Sequence, residues 1–421
     1  MVDGSLVIVS ADCHVGPRLV EDLRPFCPID AVGAFDEYVA DDARSRGRYV
    51  PQPEDDGAGA VRWRNRATNG HHDPVARRRD LDSEGIAAEV IFHGSQNDQP
   101  IPFQTSMLGP PADPRLAAVG MHIYNRWLAE FCAQAPQRHA GLVHLPLWDL
   151  DASIAELEWA AGAGLRGVNF PAPRPWLLPY NHPLWEPFWA AAEQLKMPLT
   201  THAGAGEPSL YTGHELTALM SIESGGWLSR RAAHILVFAG VFERHPDLRL
   251  VLTEQPGEWW PYLRNELDSV HLSNARDAAL IRQVPRLPSE YLQRNVYIGA
   301  SFVSRAEALG GLVGGYADRM MWGADYPHME GTYQYPGTED VTGHPSYTRL
   351  SLRFALAGMD EGDVRALVGG TATSVYGFDA ATLTEVAAGI GAPTFAEISD
   401  PLDTIPPGAS PFAFRTFGPW S

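Results

Sequence analysis

Eight short apolar runs of β type recur along the chain, and stretches whose apolar residues have helical spacing lie between many of them. Near-continuous apolar runs of this length are typical of parallel strands buried on both faces. Eight such strands with alternating helices predict an α/β fold, the (β/α)8 TIM barrel. The runs cover residues 6–11, 88–92, 141–145, 165–170, 197–201, 248–253, 295–300 and 319–323.

A doubly wound open sheet is the structural alternative to a barrel. That fold usually carries a glycine-rich phosphate-binding turn after its first strand. Here the first apolar run leads instead into Asp12-Cys13-His14. The barrel is therefore the preferred interpretation, and we expect it to span residues 1–377.

Two segments do not fit the alternation of strands and helices. Residues 15–86 form a long insertion after the first strand, and we expect it to lie over the mouth of the barrel and to shape the site there. An exposed surface excursion is the alternative for any single residue in it. Residues 378–421 end in a segment rich in proline and aromatic residues. This tail is too short to build its own core, so we expect it to pack on the barrel or on a partner subunit.

The charge balance limits the partners of the protein. With 32 Lys and Arg against 51 Asp and Glu, the formal net charge is -19. Such an excess argues against nucleic acids and anionic membrane surfaces. The three cysteines, Cys13, Cys27 and Cys132, form no Cys-x-x-Cys pair, which favours a reducing cytoplasm over a disulfide framework. No apolar stretch approaches the length of a membrane span.

The first strand ends with a carboxylate and an imidazole two residues apart. Alternate residues of a strand point to the same side, so Asp12 and His14 should project together, with Cys13 turned away. Such a pair suits half of a metal site. By itself it has a structural alternative, in which Asp12 caps the next segment and His14 is a satisfied polar residue.

Three later strands also end in candidate ligands or acid–base groups: His202, Glu254 and Asp325. Each has a structural explanation when taken alone. The carboxyl ends of barrel strands meet at one mouth, however, so all these groups should face a common volume. Asp12, His14, His202 and Asp325 would then bind one divalent ion and leave a position for water.

Several motifs in order resemble the amidohydrolase-related proteins of the amidohydrolase superfamily, which are metal-dependent TIM-barrel hydrolases and nonoxidative decarboxylases. They are ADCHVGP, THAGAG, FERHPDLRLVLTE, MWGADYPH and GGTATSVYGFD. The resemblance implies the same four ligands. It departs at Glu254, where many members, the decarboxylases among them, have a histidine implicated in catalysis. Glutamate differs from histidine in charge and pKa, which weakens direct transfer of a decarboxylase mechanism.

Metal-assisted hydrolysis of a small organic substrate is therefore the main functional prediction. Asp325 would move the proton of a metal-activated water, Glu254 would hold a second proton-transfer role, and His202 would complete the catalytic set. Nonoxidative decarboxylation of a small aromatic or unsaturated acid is the alternative, and a metal-stabilised binding barrel is a third possibility. The predicted substrate-binding residues are His328, Tyr326, Trp259, Trp322 and Arg79.

The predicted ligand set does not select one metal. Two histidines and two carboxylates favour Zn²⁺, and Mn²⁺ or Fe²⁺ would also suit them. We further expect a small-molecule substrate and a homo-oligomer, a dimer, in the cytoplasm.

Overall fold

In the computed structural model, the chain forms an eight-stranded parallel sheet in which the strands follow one another in sequence order. Helices lie between the strands, and the sheet curls into a nearly closed barrel. The prediction of a (β/α)8 TIM barrel is therefore confirmed. The structure describes residues 4–46, 57–104, 109–202, 219, 227–255, 257–299, 303–338, 340–407, 409–410 and 412–415.

The strands lie close to the eight predicted runs, and the first strand differs most. It begins and ends later than predicted, because pairing with the second strand continues through Cys13 and His14. Asp12 and His14 are therefore inside the strand rather than beyond it. The strands are β1 (Val9–Val15), β2 (Ala88–His93), β3 (His139–Val143), β4 (Gly167–Asn169), β5 (Leu199–Thr201), β6 (Leu250–Thr253), β7 (Val296–Gly299) and β8 (Met320–Met321).

Backbone hydrogen bonds join β1 to the segment that follows β8. The amide of Ala11 donates to the carbonyl of Trp322 at 2.9 Å, and the amide of Asp325 donates to the carbonyl of Asp12, also at 2.9 Å. The amide of His14 donates to the carbonyl of Tyr326 at 2.6 Å. These bonds bring the first and last strands together, so residues far apart in sequence become neighbours at the barrel mouth.

The helices that precede and follow the strands have clear end signals. Asp73 and Asp113 accept hydrogen bonds from the first amides of their helices, each of which starts with proline. The helices are α1 (Val32–Arg46), α2 (Gly57–Asn65), α3 (Pro74–Glu84), α4 (Pro114–Ala133), α5 (Leu150–Gly162), α6 (Glu186–Gln194), α7 (Trp227–Phe238), α8 (Val241–Arg244), α9 (Trp260–Ser273), α10 (Ala278–Gln283), α11 (Pro288–Asn295), α12 (Arg305–Val313), α13 (Tyr347–Leu356), α14 (Glu361–Arg365), α15 (Thr371–Val375), α16 (Ala380–Gly389) and α17 (Phe395–Ser399).

Both segments outside the alternation contain helices of their own. The insertion includes α1, α2 and α3, and its residues 47–56 lie outside the described residues. The tail includes α16 and α17, and its ring at Phe414 lies 5.9 Å from that of Phe354 in α13. In the described part of the chain, every helix is too short or too polar to span a bilayer.

Candidate metal centre and active site

Asp12, His14 and His202 come together at the carboxyl end of the barrel. Nε2 of His14 lies 3.2 Å from Oδ1 of Asp12, and Nε2 of His202 lies 3.5 Å from the same oxygen. One ligand atom from each of the three lies within 4.8 Å of the others, which is close enough to surround a single ion. Cys13 points the other way, into the apolar core, as the alternation of a strand requires.

Asp325 reaches the same cluster from the segment after β8. Its Oδ1 lies 3.3 Å from Nε2 of His14, and the side chain is fully buried. The φ angle of Asp325 is +50°, and that of Glu254 is +56°. Residues other than glycine rarely adopt this left-handed backbone, and such strain is often concentrated at functional sites.

The buried donor atoms fit a metal ion. Among the described residues, Nε2 of His14 and both carboxylate oxygens of Asp325 are buried and form no well-directed hydrogen bond. Burying polar atoms without such bonds is costly, so a bound cation would complete their coordination. The other ring nitrogen of His14, Nδ1, lies 3.1 Å from the carbonyl of His93. Donation to that carbonyl leaves the lone pair on Nε2 for a metal.

The two aspartates are held in the ionised form that a metal requires. Burial by itself would raise the pKa of Asp12, but the imidazoles of His202 and His14 outweigh it and hold the pKa well below its usual range. Burial likewise opposes ionisation of Asp325, whose pKa is nevertheless lowered by His328 and His14. Nitrogen and oxygen donors of this kind bind Zn²⁺, Mn²⁺ or Fe²⁺.

Glu254 follows β6 directly and lies beside His202. Its Oε2 is 3.6 Å from Nδ1 of His202. Burial raises the pKa of Glu254 to about 7; His202 opposes the shift, and the negative charges of Asp325 and Asp12 add to it. A carboxyl group in this environment can carry a proton near neutral pH, which a typical exposed glutamate does not.

His328 stacks on His14, with 3.9 Å between the ring centroids. Its Nδ1 lies 3.0 Å from Oδ1 of Asp325, and its Nε2 lies 2.7 Å from the carbonyl of Gly94. Burial lowers the pKa of His328, but Asp325, Glu330 and the carbonyl of Gly94 together raise it to about 10. Both ring nitrogens of this imidazolium therefore face acceptors within the protein. Gly94 has a φ of +104°, a conformation that suits glycine.

A cavity of about 310 Å³ opens beside the cluster, and His14, His202 and His328 form part of its wall. This volume is at the small end of ligand pockets. The remaining described lining includes aromatic rings and a few polar groups, with one guanidinium. These residues are Phe92, His93, His144, Trp148, Asn169, Phe170, Arg174 and Trp176.

Two residues that we predicted to contact substrate are directed into the protein interior. The hydroxyl of Tyr326 donates to Asp80 at 2.7 Å, and the guanidinium of Arg77 lies 4.0 Å from the centre of its ring. Trp322 is 2% exposed and belongs to the apolar core. Their closeness to Asp325 in sequence did not bring their side chains into the described cavity wall, because Asp80 holds the hydroxyl of Tyr326 and Trp322 packs in the apolar core.

Two further predicted substrate contacts also lie outside the described cavity wall. Trp259 packs under the guanidinium of Arg230, at 4.6 Å from the ring centre. Arg79 pairs with Asp80 at 3.0 Å. The guanidinium in the cavity wall is instead that of Arg174, which follows β4.

Three polar residues of the cavity wall were not among the site residues that we predicted from the sequence. His93 ends β2, Asn169 ends β4, and His144 comes directly after β3. The same reasoning that selected His14 and His202, a polar residue at the carboxyl end of a strand, would have found them.

The C-terminal tail also brings a positively charged residue, Arg415, near the candidate site, and we did not predict it from the sequence. Ser410 donates a hydrogen bond to the carbonyl of Met329 at 3.1 Å, which anchors the tail next to the segment after β8. Arg415 is 4% exposed there. The carboxylates that act electrostatically on its guanidinium are those of Asp325, Glu254, Glu307 and Glu330.

The Amidohydrolase family model matches residues 107–378 of the sequence. The chain belongs to the amidohydrolase family. This confirms the resemblance that the sequence motifs indicated.

Similar proteins within the amidohydrolase family carry decarboxylase names. Gamma-resorcylate decarboxylase from Rhizobium sp. (strain MTP-10005) is 27% identical over 264 residues, which cover 59% of this chain and 74% of that enzyme. Its counterpart from Rhodococcus jostii (strain RHA1) is 29% identical over 224 residues, which cover 48% of this chain and 64% of that enzyme.

Solved structures support the same amidohydrolase fold. The 5-carboxyvanillate decarboxylase from Sphingomonas paucimobilis superposes with a TM-score of 0.61 at 21% identity, covering 89% of this chain and 100% of that one. Dihydroxybenzoic acid decarboxylase from Polaromonas sp. JS666, with bound manganese and the inhibitor 2-nitroresorcinol, has a TM-score of 0.57 at 20% identity. The superposition covers 90% of this chain and 99% of that one.

The main functional prediction, hydrolysis, is therefore wrong, and the decarboxylase alternative is better supported by these relatives. The physical reason for the error is that the candidate metal ligands do not distinguish the two reactions. A divalent ion held by these residues could either activate a water or bind the carboxylate of an acid.

Proposed function

We propose that this protein is a metal-dependent nonoxidative decarboxylase of a small aromatic acid that carries a hydroxyl group beside its carboxylate. The observation that carries the proposal is its similarity to gamma-resorcylate decarboxylases, which are 26–29% identical over the matched regions. The aromatic cavity beside the buried ligand cluster supports the same substrate class.

We assign metal binding to Asp12, His14, His202 and Asp325. A divalent ion bound there would hold the carboxylate and the neighbouring hydroxyl oxygen of the substrate and neutralise their charge. Zn²⁺ remains our expectation from the ligand types, and Mn²⁺ is the alternative because it occurs in structures of similar decarboxylases.

The aromatic wall of the cavity would orient the substrate ring. The rings of Phe92 and His202 are 4.9 Å apart and steeply inclined, at 72°. Together with Phe170, Trp148 and Trp176, they offer apolar surface to a planar ring and exclude water from it. Exclusion of water favours loss of the carboxylate, because the charge concentrated on the carboxylate passes to the ring as neutral carbon dioxide departs.

Glu254 is our candidate for the proton donor, because it lies at the edge of the ligand cluster and contacts His202. In the proposed step, the bond between the ring carbon and the carboxylate carbon breaks, and its electron pair stays on the ring carbon. That carbon takes the proton of Glu254, and carbon dioxide leaves. Solvent then returns a proton to Glu254, so the overall reaction consumes one proton for each carbon dioxide released.

The proposal is tested with purified full-length protein loaded separately with Zn²⁺ and Mn²⁺. We expect 2,6-dihydroxybenzoate or another hydroxylated benzoate to release carbon dioxide and yield the matching phenol in equal amounts. Asp325→Asn is the negative control, since it keeps the shape of the side chain but removes its charge. This variant should release no carbon dioxide. A metal-loaded protein that releases no carbon dioxide from any hydroxylated benzoate or from 5-carboxyvanillate would contradict the proposal.

A further inference from the structure

His144 lies in the cavity wall and has no part in the proposed metal site. It comes directly after β3, while the candidate ligands lie in or after β1, β5 and β8. Its side chain is half-buried. A half-buried histidine that lines a ligand cavity but takes no part in the assigned chemistry needs a separate explanation.

The backbone of His144 is held from both sides by one asparagine. Nδ2 of Asn125 donates to the carbonyl of His144 at 2.8 Å, and the amide of His144 donates to Oδ1 of Asn125 at 2.9 Å. Asn125 is fully buried in α4, and its Nδ2 also donates to Glu156 at 2.8 Å. These bonds fix the direction in which the side chain of His144 leaves the strand end.

The ring of His144 is fixed as well. Nε2 of His144 lies 3.0 Å from Nδ2 of Asn169, and the ring of Tyr124 meets it edge-on at 5.1 Å. Burial, reinforced by His93, lowers the pKa of His144 to about 3, so the imidazole is uncharged near neutral pH. The amide of Asn169 then donates to Nε2, and the proton of the imidazole is on Nδ1.

This arrangement leaves one donor and one acceptor on neighbouring side chains of the wall. The donor is the Nδ1–H of His144, and the acceptor is the amide oxygen of Asn169. A hydroxyl group both donates and accepts a hydrogen bond, so it matches the pair. A second carboxylate matches it less well, because neither side chain has a positive charge.

We propose that His144 and Asn169 form a polar subsite that selects a substrate with a second hydroxyl group, on the part of the ring that faces away from the metal-binding side chains. This inference rests on the proposed function, since it assumes that the ring of an aromatic acid occupies the cavity. It adds a substrate feature that the metal site does not determine. The competing explanation is that the pair only links β3 to β4.

The test compares five acids on the metal-loaded, full-length protein: 2-hydroxybenzoate and its 2,3-, 2,4-, 2,5- and 2,6-dihydroxy relatives. Titration calorimetry measures the Kd of each acid for the wild type and for His144→Phe, and carbon dioxide release is measured separately. His344→Phe, on an exposed loop, is the matched control for the same substitution.

We expect at least one dihydroxy acid to bind the wild type more tightly than 2-hydroxybenzoate does. His144→Phe should weaken that acid roughly 3- to 10-fold, the usual effect of a lost neutral hydrogen bond, and should leave 2-hydroxybenzoate unchanged. His344→Phe should change neither. Asn169→Leu should show the same selective loss, and it serves as the test if His144→Phe does not fold or loses its metal.

Equal weakening of all five acids, or no weakening, would overturn the subsite, as would a wild type that binds none of them. Selective weakening without any carbon dioxide release would support the subsite and contradict the proposed decarboxylation. Binding and gas release therefore separate failure of the inference from failure of the proposed function.

Discussion

Arg77 provides the strongest test of how the core supports the site. Its side chain and that of Glu89 are fully buried and form an ion pair, with Nε of Arg77 at 3.1 and 3.0 Å from the two carboxylate oxygens. Nη1 of Arg77 also donates to the carbonyl of His14 at 2.8 Å. Arg77→Met would remove these bonds and leave the charge of Glu89 buried beside His139, at 2.9 Å.

Removing one partner of a buried ion pair costs about 3–5 kcal/mol. His139 remains next to Glu89 and can take up part of its charge, so we expect the lower end of the range, a loss of about 3 kcal/mol in the free energy of unfolding. Unfolding entropies near 2 cal/mol/K per residue give about 0.9 kcal/mol/K for 421 residues. The expected fall in Tm is therefore only about 3–4 °C, and urea unfolding is the better assay.

Arg79→Met is the comparison variant, because Arg79 is partly exposed, and its buried partner Asp80 keeps hydrogen bonds from Thr68 and Tyr326. We expect it to lower the free energy of unfolding by about 1–2 kcal/mol, which is less than for Arg77→Met. Replacing both partners, as Arg77→Met with Glu89→Leu, should recover part of the loss, since no buried charge remains unpaired. Equal losses for Arg77→Met and Arg79→Met would refute the assignment of a structural role to the buried pair.

Four further outcomes follow from the described contacts. Glu254→Gln should lower kcat about 10²- to 10⁴-fold while 2-hydroxybenzoate still binds, and an unchanged kcat would exclude Glu254 as proton donor. His14→Ala should reduce the metal content from about one ion per chain, by elemental analysis, whereas the partly exposed control His122→Ala should not. Arg415→Met removes a positive charge near the carboxylates, so it should tighten Mn²⁺ binding and weaken benzoate binding in titrations; changes of opposite sign would contradict this electrostatic reasoning. Burial raises the pKa of Glu307 to about 7, so the native state holds this proton more tightly than the unfolded state does. The free energy of unfolding should therefore fall as pH rises from about 4.5 to about 7. Glu307→Gln should flatten that fall in urea titrations, and identical pH profiles for the variant and the wild type would contradict this prediction.

The order of the strands and the class of fold could be predicted from the sequence, because buried parallel strands require local apolar runs that can be recognised without tertiary contacts. The boundaries were less accurate. β1 includes Asp12 and His14 because pairing with β2 and with the segment after β8 extends it, and those partners are distant in sequence.

Part of the candidate site was also accessible from the sequence. The alternation of a strand places Asp12 and His14 on one side, and barrel geometry brings His202 and Asp325 to them. The same local signal was present at His144 and Asn169, yet a single polar residue at a strand end does not reveal which neighbour it will contact.

The tertiary structure decided between the positions of neighbouring residues that the local sequence pattern does not distinguish. Arg77 and Arg79 are nearly adjacent in one basic run, but helix α3 turns Arg77 into the core and leaves Arg79 at its edge. Tyr326 follows Asp325 directly, yet its hydroxyl bonds to Asp80 rather than facing the cavity. Sequence patterns determine which side of a strand or helix a residue occupies. The chemistry of a site depends on which distant residues share its cavity, and the packing of the whole barrel determines that.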